Sequence, residues 1–270
     1  MTLLQVAKEL HAPVIKNFRK RKIISRCIDD VWGADLLDIP QHVKANRGFR
    51  YILNCVDNVS KMVFAEPIKN KTGVEVSAAF ERILKKSGRK PNLLHVDKGK
   101  EFWNRTFEAL LKRYNITKYH TYSLEKSAMV ERFHRTLDHR LRIHFEVSGS
   151  GKWTHVLQKF ITEYNSRVHS TTKIRPIDAS KENEKEILRR MYPSVEIRKP
   201  AFNVGDRVRI WRKREKFDNK FTQNWTREVF VVKKVHLTDP ITYSIVDENG
   251  ELILGKFYRQ ELQYSHEIRS

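Results

Sequence analysis

Cysteine is nearly absent. The chain has two, Cys27 and Cys55, in 270 residues. That is too few for a disulfide framework, and neither has a Cys or His neighbour at zinc-ligand spacing. Such usage fits a reducing compartment, cytosol or nucleus. No apolar run approaches the roughly 18–20 residues of a membrane span, and the N-terminus lacks the basic, apolar and small-residue succession of a secretory signal. Internal repeats and low-complexity tracts are missing too. Acid is scarce beside base: 32 Asp and Glu against 53 Lys and Arg leave a net charge of +21 and a pI near 10.0. That surplus excludes an ordinary metabolic enzyme as the default and favours a polyanionic partner, nucleic acid or an acidic membrane face.

What is present is enough apolar residue for a core, 40% of the chain, and an uneven distribution of charge. Residues 14–26 hold six basic residues and no acid, and residues 198–234 hold twelve against Asp206, Glu215, Asp218 and Glu228. Residues 3–11 read as a short helix ended by Pro13. Residues 31–39, 49–58 and 61–68 read as three strands able to pair antiparallel. Residues 72–87 read as a helix with Thr72 as N-cap and Glu75 as its capping-box partner. A short strand over 92–96, a helix over 104–115, a strand over 117–121 and helices over 127–146 and 152–166 follow. The order predicts an α/β sheet with an antiparallel half and a parallel half. Beyond Pro176 come a charged helical stretch, 181–193, and several short strands from Phe202 onward, which suggest a small barrel.

Three acids stand out by position. Asp35 lies within the first strand, Asp97 just past the apolar run Leu93-Leu94-His95-Val96, and Glu131 in the first turns of the long helix. Strand ends and helix starts are where a sheet aims carboxylates at one point. Hard oxygen donors favour Mg2+ or Mn2+ over zinc, and two such ions about 4 Å apart can drive phosphodiester cleavage or transfer. Taken singly, an Asp at a strand end is a turn former or cap and Glu131 a solvated helix residue. On the same helix stripe as Glu131 lie Arg135, Asp138 and Arg142, so cations follow the acid; they either hold a DNA strand or only pair with acids along the helix.

The joint pattern resembles the retroviral-type integrase core of LTR retroelements and Maverick/Polinton-like transposons. The matching residues are Trp32-Gly33-Ala34-Asp35, Val96-Asp97-Lys98-Gly99-Lys100-Glu101-Phe102, and Val130-Glu131-Arg132-Phe133-His134-Arg135-Thr136-Leu137. Between Asp97 and Glu131 lie 33 residues, and Tyr164-Asn165-Ser166-Arg167-Val168-His169-Ser170-Thr171-Thr172 with Pro176 resembles the family's post-catalytic helix end. The resemblance implies a ribonuclease-H-like mixed five-stranded sheet flanked by helices. It also implies a catalytic triad of Asp35, Asp97 and Glu131 holding two Mg2+ or Mn2+ ions, and an activity that cleaves DNA 3′ ends and transfers them into target DNA. Its partners would be element ends, target DNA and further copies of the same chain, in the nucleus. Lys98 stands where the family often has Asn, and Ser127-Ala128 where Gln-Gly is common; Lys98 puts a cation beside the metal-binding acid, where it either contacts DNA phosphate or weakens the site. The family's N-terminal His/Cys zinc module is not matched by the first 30 residues, which hold only His11 and Cys27; either it was lost or this sequence is a fragment of a longer element protein.

The tail, with Val204-Gly205-Asp206-Arg207-Val208-Arg209 and Asn224-Trp225-Thr226, resembles the SH3-like or chromo-like barrel of retroelement integrases, a DNA-binding or chromatin-contact module. Alternation puts Arg207, Arg209 and Lys213 on one cationic face. Trp211, Phe217, Trp225 and Tyr243 either pack as core or line a methyl-lysine cage. Arg19-Lys20-Arg21-Lys22 reads as a nuclear localisation signal or a DNA-binding arm. The expected layout is a basic N-terminal helix and arm over 1–25, the catalytic core over 26–185, a linker over 186–201 and the barrel over 202–266. The non-enzymatic alternative is an idle transposon-derived DNA- or chromatin-binding protein that keeps the fold; another metal nuclease of that fold is a third.

Overall fold

The computed structural model describes residues 2–21, 24–120, 128–193, 199–212 and 221–266. The chain divides into two compact units, residues 23–193 and residues 1–22 together with 194–270. Their elements in chain order are α1 (Leu3–Leu10), β1 (Val31–Asp38), β2 (Tyr51–Asp57), β3 (Val63–Ile68), α2 (Gly73–Ser87), β4 (Leu93–His95), α3 (Arg105–Tyr114), β5 (Thr117–Tyr119), α4 (Ala128–Ser148), α5 (Leu157–Asn165), α6 (Glu184–Met191), β6 (Arg207–Ile210), β7 (Phe230–His236), β8 (Thr242–Val246), β9 (Phe257–Tyr258) and β10 (Leu262–Tyr264).

In the larger unit the five strands run β3-β2-β1-β4-β5. β1 pairs antiparallel with β2 and parallel with β4, so the sheet is mixed, as the order of elements predicts. β2 is buried along its whole length, and its side chains alternate between two cores. Leu53 and Cys55 join Trp32, Ala34, Phe80 and Phe107 beneath α2 and α3. Ile52 and Val56 join Phe133, Leu137, Trp153 and Ile161 beneath α4 and α5.

Local chemistry sets the helix ends. Thr72 Oγ1 accepts the Glu75 N–H, while the Glu75 carboxylate turns back to the Lys69 and Asn70 N–H groups instead of closing a capping box. Asn104 caps α3 through Phe107 N–H. The helix expected from residue 152 starts only at Leu157. The Trp153 and Thr154 N–H groups donate to the buried Asn46 side chain, which holds that turn out of helical register.

In the smaller unit the strands run β10-β6-β7-β8-β9, all antiparallel, over a core of Phe202, Val208, Phe230, Val232, Tyr243, Ile245 and Leu262. The expected barrel is an open sheet among the described residues: β9 pairs with β8 over two residues and meets no second partner strand. The N-terminal residues belong to this unit. The Asn224 and Trp225 N–H groups donate to Leu10 O, Trp225 Nε1 donates to Ala12 O, and the Arg21 N–H donates to the Tyr258 hydroxyl. Among the described residues no helix is long and apolar enough to cross a membrane.

Candidate active site

Strand alternation decides which way the acids face. Trp32 and Ala34 of β1 and Leu94 and Val96 of the β4 segment enter the core beneath α2 and α3. Asp35 and Asp97, one residue further along in each case, therefore belong to the opposite face, the one α4 covers. β1 and β4 are parallel with Gly33 opposite His95. The pairing ends there: Asp35 continues β1 two residues on, and Asp97 follows two residues after the end of β4. On α4, Val130, Phe133 and Leu137 pack down onto the sheet, and His134 Nδ1 stands 3.8 Å from Asp35 Oδ2. Glu131 is exposed and precedes His134 by three residues, one turn along the same side of the helix.

Backbone donors orient two of the acids. Asp35 Oδ1 accepts the Leu36 N–H at 2.8 Å, and Asp97 Oδ1 accepts the Gly99 N–H at 2.9 Å. After Asp97 the chain turns tightly, with the Phe102 and Trp103 N–H groups both on Gly99 O. Trp103 Nε1 donates to Asp97 O at 2.7 Å. His95, 3% exposed on the same face, is held below its ordinary pKa by burial and by nearby His120.

The donor chemistry of Asp35, Asp97 and Glu131, all carboxylate oxygen, suits a hard divalent cation. Among the described residues, however, no group of three His, Cys, Asp or Glu side chains stands close enough to hold a metal ion, these three included. A residue the sequence reading passed over lies beside them. Asn54 is directly opposite Asp35 on β2 and 0% exposed, and its Oδ1 meets no hydrogen-bond partner. Its signal was there to read, a single amide in the apolar run 51–56.

The expected DNA contacts divide. Lys98 and Arg135 are exposed. Arg142 is exposed and pairs with Asp138 at 2.9 Å, the intrahelical alternative. Arg207 is half-buried, 3.7 Å from Glu248. Arg209 does not belong to a cationic face: it is 1% exposed and donates to Glu9 and to the carbonyls of Thr226 and Arg227, because α1 covers that side of β6. An aromatic cage is likewise not formed by the two members that are buried. Trp225 is spent on Ala12 O, and the Tyr243 hydroxyl accepts the Ala201 N–H within the core. Lys213 and Phe217, like Lys22 and Ser127, lie outside the described residues.

A family model described as integrase core domain matches residues 26–123. A transposon-derived protein of Caenorhabditis elegans is 31% identical over 222 residues, covering 82% of this chain and 74% of that protein. The retrovirus-related Pol polyprotein from transposon 297 of Drosophila melanogaster is 26% identical over 220 residues, 77% of this chain but only 19% of the polyprotein. Among solved structures, a chain from the cryo-EM structure of the simian T-cell lymphotropic virus intasome in complex with a PP2A regulatory subunit superposes with a TM-score of 0.67 at 14% identity. It covers 97% of this chain and 88% of its own. With the sheet order, the matched core and these relatives together, the chain belongs to the retroviral-type integrase-core family.

Proposed function

We propose that the protein is a polynucleotidyl transferase that cleaves DNA 3′ ends and transfers them into target DNA, with Asp35, Asp97 and Glu131 as its catalytic, metal-holding triad. The observation that supports this reading is the parallel β1–β4 pairing, with Asp35 two residues beyond Gly33 on β1 and Asp97 two residues beyond His95. Two Mg2+ or Mn2+ ions, when bound, would supply an activated water or hydroxyl and neutralise charge on the scissile phosphate. The chain's own residues do the rest. The Leu36 and Gly99 N–H groups fix one oxygen of each aspartate, which orients the carboxylates. Glu131, exposed in the first turn of α4, would supply the third carboxylate. Arg135, one turn further along, and Lys98, next to Asp97, supply cations for the phosphate backbone. In this reading the protein acts in the nucleus on element ends and target DNA as an assembly of several copies. The C-terminal open sheet serves as its module for contact with DNA or chromatin.

The test is transfer of a labelled DNA end into plasmid. Wild type should join ends only with Mg2+ or Mn2+, and Glu131→Gln should abolish joining while binding DNA with similar affinity. Equal joining by the variant removes the catalytic assignment. No joining by wild type, with DNA binding intact, favours the idle DNA-binding alternative.

A further inference from the structure

Of the five tryptophans, Trp32, Trp153 and Trp225 are buried, whereas Trp103 is 39% exposed. Single exposed apolar side chains are ordinary; what sets this indole apart is how firmly it is held. It is held from three directions. Its Nε1 donates to Asp97 O at 2.7 Å. One ring face rests on the ammonium of Lys118, 4.1 Å from the ring centroid. His120 meets it edge-on, with ring centroids 5.2 Å apart. Lys118 is itself pinned: its side chain is 9% exposed and donates to Phe102 O and to Glu108, each at 2.9 Å. The ring is thus fixed in orientation on its inner side while keeping substantial surface toward solvent. It sits one hydrogen bond from the backbone of the acid at the centre of the site.

We propose that Trp103 is a stacking platform for an unpaired nucleobase of the DNA engaged at Asp97. The identity of the ligand as DNA rests on the function proposed above; the platform itself rests on the geometry of the ring. Flat, sequence-tolerant recognition of single-stranded bases is what aromatic faces in basic surroundings provide. A ring already held in place loses little freedom on binding. The alternative is purely structural, with the indole acting as a lid over Lys118. The two readings separate in experiment because a leucine can act as a lid but cannot stack.

The probe is a short DNA duplex whose 3′ single-stranded overhang carries 2-aminopurine, titrated with the full chain. Wild type should quench the 2-aminopurine on binding. Trp103→Leu and Trp103→Ala should lose that quenching and bind the overhang duplex on the order of ten-fold more weakly. Trp103→Phe should restore most of both, and blunt duplex should be bound equally by all four proteins. Unchanged quenching in Trp103→Leu, or an equal loss on blunt duplex, overturns the platform. Should Trp103→Ala fail to fold, the Leu–Phe comparison decides alone. Asp97→Asn should abolish end joining but keep the quenching. Quenching that depends on Trp103 in a wild-type protein that joins no ends would sink the proposed function and leave the platform standing. Normal joining and quenching in Trp103→Leu would do the reverse.

Discussion

The carboxylate of Glu9 and the guanidinium of Arg209 meet 3.2 Å apart across 200 residues of chain, with Arg209 1% exposed. Burial pushes the Glu9 carboxyl up, but hydrogen bonds from His266 and Arg209 overcome that and leave it below its ordinary value. The pair therefore stays charged and ties α1 to β6. Breaking one side of a buried pair strands the other, at a cost of about 3 kcal/mol, whereas replacing both by apolar residues of similar size is close to neutral. Arg209→Ala should accordingly lower the unfolding free energy of the smaller unit by about 3 kcal/mol. Glu9→Leu combined with Arg209→Met should recover most of it in urea titrations. An Arg209→Ala protein as stable as wild type would mean that α1 is not held by this contact.

The same contact makes a prediction about DNA. A residue that neutralises a phosphate steepens the salt dependence of binding by about 0.9 in log–log slope for duplex DNA. Exposed Arg135 should show that full effect on mutation to Ala. Arg142, already paired with Asp138 at 2.9 Å, should show less. The double variant that replaces Glu9 and Arg209 should leave the slope unchanged, since Arg209 meets backbone carbonyls and Glu9 and not solvent. A slope altered by that double variant and untouched by Arg135→Ala would invert the assignment of the two arginines.

How far these features were legible in the sequence depends on how local their causes are. β1 to β3, α2 and α3 follow from period-two and helical patterns with their own caps, so they could be read directly. The alternation on β6 was legible as well: Val208 and Arg209 do take opposite faces. What no pattern contains is the element that covers a face from 200 residues away, so Arg209 read as a solvent-facing cation when it is a buried anchor. β10, three residues paired to β6, lacks enough length to carry a pattern. The late start of α5 has the same kind of cause, the distant Asn46 side chain occupying the Trp153 and Thr154 N–H groups. At the candidate site, spacing singled out Asp35, Asp97 and Glu131, but separation in space is not written in spacing. Asn54 and Trp103, by contrast, were visible as a polar residue in an apolar strand and an aromatic in a polar turn.

One motif recognised by resemblance alone has a physical explanation in the fold. Asn165, 4% exposed at the end of α5, accepts the Val63 N–H through Oδ1 and donates to Val63 O through Nδ2, both at 2.9 Å. β3 is an edge strand, and the amide completes it as a neighbouring strand would. Asn165→Ala should leave both Val63 groups without these partners and cost about 2 kcal/mol. Hydrogen exchange reads this locally: the Val63 amide, slow in wild type, should exchange many times faster in the variant while β1 amides stay slow. An unchanged Val63 amide would show that the edge is closed by something else.

His169, in the same motif, should make the larger unit sensitive to acid. Burial, with Lys61 and Arg132 nearby, pushes its imidazole down from the ordinary 6.5 to about 4. Its Nδ1 accepts the Thr171 N–H at 3.1 Å, a role only the unprotonated nitrogen can fill. Between those two values the unfolded chain takes up a proton that the folded chain refuses. The stability contributed by this ring is thus fully present above about pH 6.5 and is lost as the pH falls toward 4. Undiminished, the gap would be worth about 3 kcal/mol; water around a half-buried ring reduces that to about 1–2 kcal/mol. His169→Asn keeps an acceptor of similar reach and does not titrate. The unfolding free energy of wild type minus that of His169→Asn should therefore shrink by about 1–2 kcal/mol between pH 7 and pH 4.5. Parallel stability curves for the two proteins across that range would show that His169 accepts its proton as readily in the fold as outside it.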